Sequence, residues 1–351
     1  MTYRQNVAEL VGNTDLLRIP SLSRLTGCEI LVKCEFQNPG GSIKDRAALQ
    51  MVQDAIAKGE LKPGMTIVEG TAGNTGIGLA VVAKALGYQM LTVMPKGQTP
   101  EKEKMIALHG SELMLVDPCP FANPNHFYHT ARRLAEENEN YWWANQFENI
   151  SNGKAHYEHT GPEIWQQTDG KVDTLVSVSG TGGTIGGCSR YLKERNESVQ
   201  VWSIDPDGSG IYHYLKTGEY KAQGSSFTEG IGIMRTVANF AQARIDKGIT
   251  LPDQDLVTVS RAVRNADGLV LGSSSALNIA GALFAAAKSG TGKTIVTFAC
   301  DAGERSYSKL WNPEFLAEKG IRDDLETIEQ MFERYKATDD SVIVNVTDRD
   351  R

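Results

Sequence analysis

TLVSVSGTGGTIGG, residues 174–187, joins an apolar run of strand length, Thr174–Ser177, to a glycine-rich turn and then a helix pattern, Thr184–Glu194. Backbone N–H groups at such a strand-to-helix turn point outward, and the helix dipole favours an anion in front of them. Gly180, Thr181, Gly182, Gly183 and Thr184 therefore read as a phosphate cradle with two hydroxyls as extra donors. The turn is not the dinucleotide pattern GxGxxG, because Ile185 stands where the third glycine belongs. Asp205 ends the next apolar run, where a ribose-binding acid would sit, so a nicotinamide enzyme is the rival reading. A second glycine run, Ser289-Gly290-Thr291-Gly292-Lys293-Thr294, imitates a P-loop. Ala287 replaces that motif's first glycine and the helix precedes the strand, so it reads as an ordinary turn.

Outward from this unit, strand and helix patterns alternate. Strands are expected at Ile30–Lys33, Thr66–Glu69, Met90–Met94, Leu113–Val116, Tyr141–Trp143, Val199–Ile204, Leu256–Val259 and Thr294–Phe298. Helices are expected at Ile43–Ala57, Gly76–Leu86, Thr99–Leu108, His126–Asn138, Gly161–Thr168, Ser260–Ala266 and Ser275–Ala287. Such alternation predicts an α/β fold, parallel sheets with helices on both faces and ligands at the carboxyl ends of the strands. A domain boundary is expected near Asn145–Asn152, an irregular stretch over Asp205–Pro252, and a frayed tail over 338–351.

The 351 residues suffice for two domains with buried cores. A net charge of −7, spread along the chain, argues against nucleic acid as a partner, and no apolar run approaches a membrane span. MTYRQNVAEL carries neither an apolar signal core nor an Arg-rich presequence, so a cytoplasmic location is expected. The cysteines, Cys28, Cys34, Cys119, Cys188 and Cys300, form no CxxC pair, which points to reduced thiols and no metal site. His156 and His159 share a helical spacing without a completing acid or cysteine and read as surface residues.

Two more glycine loops carry chemistry. In EGTAGNTGIGLA, residues 69–80, the amides together with Thr71, Asn74 and Thr75 suit a carboxylate or a ring oxygen. In KCEFQNPGGSIKDR, residues 33–46, Ser42 suits an N-cap and Lys44 falls in the first helical turn, where the dipole disfavours a cation. A lysine held against that local rule is a candidate nucleophile. A phosphate cradle plus such a lysine suggests pyridoxal 5'-phosphate.

These blocks, with NQFENI (145–150), HTGPEIW (159–165) and TEGIG (228–232), resemble in order the cysteine synthase and cystathionine beta-synthase family. The resemblance covers roughly residues 5–315. It implies the tryptophan-synthase-beta-like fold of pyridoxal-phosphate enzymes, two doubly wound α/β domains with the cofactor in the cleft between them. It divides the chain into an N-terminal segment packing with the large domain (1–45), a smaller mobile domain (46–150), a large cofactor-binding domain (151–320) and a C-terminal helix and tail (321–351). Carried over by position, Lys44 is the lysine that bears the cofactor, Asn74 contacts the ring O3′, Gly180 to Thr184 hold the phosphate and Ser274 faces the pyridine nitrogen. Thr71, Ala72, Gly73, Thr75, Gln146 and Gly230 hold the substrate. The implied reaction is β-replacement on an activated L-serine, O-acetyl-L-serine plus sulfide giving L-cysteine plus acetate via an aminoacrylate. The alternative is an L-cysteine desulfhydrase, or a synthase using O-phosphoserine or another nucleophile. A homodimer, and docking of the C-terminal peptide of serine acetyltransferase, are implied partners.

The chain departs from the family pattern at Ala72, where a serine is usual, and at Ile233-Met234-Arg235-Thr236, where small residues and a Phe-Ile-Pro run are usual. Arg235 is a candidate cation for a phosphorylated donor. The lack of a haem-binding extension and of a long C-terminal regulatory stretch points away from a cystathionine beta-synthase.

Overall fold

The structure, a computed structural model, describes residues 3–98 and 100–346. Its strands are β1 Leu16–Arg18, β2 Glu29–Cys34, β3 Thr66–Gly70, β4 Gln89–Pro95, β5 Glu112–Val116, β6 Tyr141–Trp143, β7 Thr174–Val178, β8 Gln200–Pro206, β9 Lys247–Leu251, β10 Thr294–Ala299 and β11 Val344–Asn345. They form a seven-stranded sheet ordered β1-β2-β10-β7-β8-β9-β11 and a four-stranded sheet ordered β5-β4-β3-β6. Among the described residues only the edge strands β1 and β11 run antiparallel. Every residue of β7 is buried, as expected of a central parallel strand covered on both faces, and this explains its continuous rather than alternating apolar pattern.

The large sheet is covered by the Ser273–Ser289 helix, whose Leu277, Ala280 and Phe284 lie in one apolar core with Trp202, Ile204 and Val176. The small sheet carries the Lys44–Ala57 and Asn74–Leu86 helices, which pack Met51, Val52, Leu79 and Val82 against Ile67 and Met90. Its other face meets the Phe127–Glu137 helix through Val68, Val93 and Ala131. At ~25 cal/mol per Å² of apolar surface removed from water, these interiors are the main stabilising term.

A buried ionic network joins the two bodies. Arg46 pairs with Glu35 at 2.7 Å and with Glu163 at 2.7 Å, and Lys33 pairs with Glu163 at 2.7 Å. Burial raises Glu163, but hydrogen bonds and charge from Arg46 and Lys33 outweigh it and bring the carboxyl down to about 2.

Several expectations are corrected. Leu256–Val259 is not a strand but the centre of the Asp253–Asp267 helix. Leu256, Val259 and Val263 recur at helical spacing, Asp253 and Asp255 sit in the first turn, and Gly268 ends the helix with φ 71°. A four-residue apolar run holds too little periodicity to separate the two states. The stretch from Asp205 to Pro252 contains the Ile211–Thr217 helix and β9. Part of the expected tail is ordered, since Val344 and Asn345 pair with β9; residues 347–351 lie outside the described residues. The expected helix Thr99–Leu108 runs over Pro100–Leu108, and Thr99 lies outside the described residues. The imitation P-loop is the turn between the Ser273–Ser289 helix and β10. Among the described residues no helix is long and apolar enough to cross a membrane.

Candidate functional site

The segments that follow β3, β7 and β10 meet at the strands' carboxyl ends and line one cavity of about 590 Å³. Its wall includes Lys44, Thr71, Ala72, Gly73, Asn74, Thr75, Gln146, Gly180, Thr181, Gly182, Thr184, Gly230 and Ser274. The one expected site residue off this wall is Gly183. It is buried behind the turn, where an added Cβ would stand 2.0 Å from Asn152 Oδ1.

The turn 38–43 delivers Lys44. Gly41 has φ 78°, Gly40 N donates to Asp45 Oδ2 at 2.5 Å, and Lys44 N donates to Ser42 Oγ at 3.3 Å. Ile43 N donates to the carbonyl of Cys300 at 2.9 Å, so the lysine turn is pinned to the end of β10. Burial pushes the Asp45 carboxyl up to about 7. The Lys44 amine itself makes no hydrogen bond or ion pair with any described residue, which leaves it free inside the cavity.

Three positions of the turn after β7, Gly180, Gly182 and Gly183, admit only glycine. Gly182 has φ 82°, and a Cβ there would stand 2.4 Å from Phe240 Cα; a Cβ on Gly180 would stand 2.2 Å from the Gly230 carbonyl oxygen. The turn opens the 13-residue helix Gly183–Arg195, whose first N–H groups have no intrahelical acceptor. Its hydroxyls are held from behind. Asn152 Nδ2 donates to Thr181 Oγ1 at 2.9 Å, and His156 Nε2 lies 3.3 Å from Thr184 Oγ1. His156 is 2% exposed and its other ring nitrogen meets Thr160 Oγ1, so it is no surface residue; His159 is exposed. Burial, and then the positive charges of Arg46 and Lys44, keep His156 neutral. A single π-helical turn, His156–Thr160, places it there. Three-residue spacing could not reveal that burial, because the side of the helix that faces inward is set by packing.

Opposite the cradle, Asn74 Nδ2 donates to Asp301 Oδ2 at 2.7 Å, and burial raises the Asp301 carboxyl. Ser274 lies in the first turn of the Ser273–Ser289 helix beside Cys300, whose thiol burial pushes up to about 12. In the loop after β3, Thr75 Oγ1 donates to Gln146 Oε1 at 2.6 Å, and Gln146 Nε2 donates to Glu69 Oε1 at 3.2 Å. Asn152, His156, Asp301 and Glu69 were not among the expected site residues. Asp301 and Glu69 alone carried a signal, their place at the carboxyl end of a strand.

Arg235 is not on the cavity wall. Its guanidinium pairs with Glu148 and lies 5.2–5.4 Å from the rings of Phe121, Tyr128 and Phe147. It is therefore not free to receive a phosphorylated donor. At the mouth Glu229 binds both Lys102, at 2.9 Å, and Lys309, at 2.5 Å.

A glycine-rich anion cradle, a free amine and a neutral hydroxyl on one wall fit pyridoxal phosphate, and the volume leaves room for a small amino acid beside it. Comparison with known proteins agrees. Residues 7–301 match the model of the family described as pyridoxal-phosphate dependent enzyme. The chain is 45% identical over 337 residues to cysteine synthase 2 of Schizosaccharomyces pombe, covering 90% of this chain and 85% of that one. It is 46% identical over 316 residues to cysteine synthase 1 of Neurospora crassa, covering 89% and 84%. The crystal structure of O-acetyl serine sulfhydrylase isoform 3 from Entamoeba histolytica superposes with a TM-score of 0.81 at 32% identity, covering 95% of this chain and 96% of that chain.

Proposed function

The chain belongs to the pyridoxal-phosphate dependent enzyme family, and we propose that it makes L-cysteine and acetate from O-acetyl-L-serine and sulfide. The observation that carries the reading is the unpartnered Lys44 amine in the same cavity as the glycine cradle. Pyridoxal phosphate, when bound, supplies an aldehyde that captures amines and a ring that acidifies the Cα–H of the captured amino acid. The amides and hydroxyls of Gly180–Thr184 hold its phosphate, with Asn152 and His156 fixing the two threonines. Asn74, oriented by Asp301, takes the ring oxygen. Ser274 meets the pyridine nitrogen with a hydroxyl, which disfavours protonation there and so favours β-elimination over transamination.

Lys44 would hold the cofactor through its amine and, released when substrate binds, would serve as the base that takes the Cα proton and the acid that returns it to Cα, with acetate leaving Cβ and sulfide taking its place. The amides of Thr71–Thr75, with Gln146 and Gly230, hold the substrate carboxylate. Lys44→Ala tests the reading. Cysteine formation should fall by at least ~10³-fold, from loss of acid–base catalysis alone. The cofactor's protein-bound absorbance should also disappear. Undiminished turnover by that variant would remove Lys44 from the role.

The same reading carries a homodimer and a cytoplasmic location. It also carries docking of a serine acetyltransferase C-terminal peptide, whose carboxylate would use the Thr71–Thr75 amides. Sedimentation of the purified protein and competition between such a peptide and O-acetylserine check the first and last.

A further inference from the structure

Glu69 is the last residue of β3 but one, is fully buried, and touches the cavity only through Gln146 and Thr75. Gln146 is 5% exposed and Thr75 3%, and both line the cavity. Glu69 Oε1 accepts from Gln146, whereas Oε2 has no partner in hydrogen-bonding geometry. An ionised carboxylate with one oxygen buried and unpaired is costly. We propose that Glu69 is a positioning residue that sets the hydrogen-bond direction of the Glu69–Gln146–Thr75 relay, and so decides whether Thr75 offers a donor to the substrate's α-carboxylate. The inference rests on the amino-acid substrate of the reading above.

The two ends of an amide have the same shape, so one set of heavy-atom positions serves two hydrogen patterns. With Glu69 ionised, Gln146 donates to Glu69 and Thr75 must donate to the Gln146 oxygen, as the structure has it. Thr75 then turns lone pairs toward the cavity, which repel a carboxylate. With Glu69 protonated, its O–H donates to the Gln146 oxygen, the Gln146 N–H donates to Thr75, and the Thr75 hydrogen is free for the substrate.

Burial pushes Glu69 up to about 8, against the opposing pull of the Gln146 side chain and the backbone amides of Gln146, Asn145 and Gly70. The group facing it from the Phe127–Glu137 helix is Tyr128, whose own value is raised by burial and which stays neutral. The Arg235–Glu148 pair lies beyond Tyr128 and acts on it with both signs of charge. The Asn74–Leu86 helix presents uncharged Thr75. The donor pattern is therefore the one present below pH 8.

β-Chloro-L-alanine tests this, because it has the same α-carboxylate and needs no acetyl group. KM for the wild-type holoenzyme, divided by KM for Glu69→Gln at the same pH, should rise about tenfold between pH 7 and pH 9. The amide introduced by that substitution donates at every pH, and the substrate's own ionisations cancel in the ratio. kcat should change far less. Thr75→Ser should keep the rise and Thr75→Val should abolish it. An infrared difference spectrum should show a protonated-carboxyl band at pH 7 that Glu69→Gln lacks. A flat KM ratio, or no such band, overturns the relay. Turnover of β-chloroalanine but not of O-acetylserine would instead overturn the donor reading and leave the relay standing.

Discussion

Ala72 shows how one side chain sets what the carboxylate meets. It lies half-buried on the cavity wall, packed toward Ile77, Met94 and Ile106. Beside it Thr71 Oγ1 accepts from Gly73 N at 3.2 Å, and Thr75 Oγ1 is hydrogen-bonded to Gln146. A serine at 72 would add an uncommitted hydroxyl, and a hydrogen bond to a charged group contributes ~1.5–3 kcal/mol. Ala72→Ser should therefore lower KM for O-acetylserine about tenfold with kcat within about twofold. Steady-state kinetics check it; an unchanged KM means that water already fills the position.

At the scale of an element, the turn after β7 depends on backbone shape more than on side-chain chemistry. Gly182→Ala would combine a left-handed residue, ~1–2 kcal/mol for a residue with a Cβ, with a Cβ 2.4 Å from the Phe240 backbone, which has no flexible end to move aside. Gly268, left-handed like Gly182 with φ 71°, offers a control: nothing lies within 4 Å of its added Cβ. Gly182→Ala should emerge from purification with most of its cofactor lost. Gly268→Ala should retain full occupancy and lose about 1 kcal/mol of stability from its dihedral alone. Cofactor content and urea denaturation of the two variants measure the difference, and equal occupancy would show that the cradle tolerates a shifted loop.

Across the whole molecule, Glu163 lies between Lys33 and Arg46. Those cations are 0% and 2% exposed and come from the N-terminal segment and the start of the lysine-bearing helix. Glu163→Gln would leave them short of countercharge, and breaking a buried pair costs about 3–5 kcal/mol. Urea denaturation at pH 7 should show a loss of that order, and a loss below about 1 kcal/mol would count against the network. The pH dependence has a definite sign. Glu163 sits at about 2 folded against an ordinary 4.5, so the unfolded chain binds more protons between those values. The Glu163 contribution to wild-type stability is full above pH 4.5 and is lost as pH drops toward 2, and Glu163→Gln should lack that part of the fall.

The alternation of strands and helices, the strand-loop-helix units and the place of Lys44 were legible in the sequence, because these depend on neighbours a few residues apart. Left-handed glycines, a helix's unpaired N–H groups and a buried strand's apolar run are local necessities. What depends on distant partners emerged with the folded chain. β1 and β2 join the large sheet because β10, more than 250 residues later, pairs with β2. His156 is buried behind Thr184 because a π-helical turn carries it inward. Arg235 is taken up by Glu148 and three aromatic rings rather than offered to a substrate. Glu69 has a shifted carboxyl because folding surrounds it with apolar atoms. Burial and hydrogen-bond partners arise from contacts across the chain, and no short window of residues contains them.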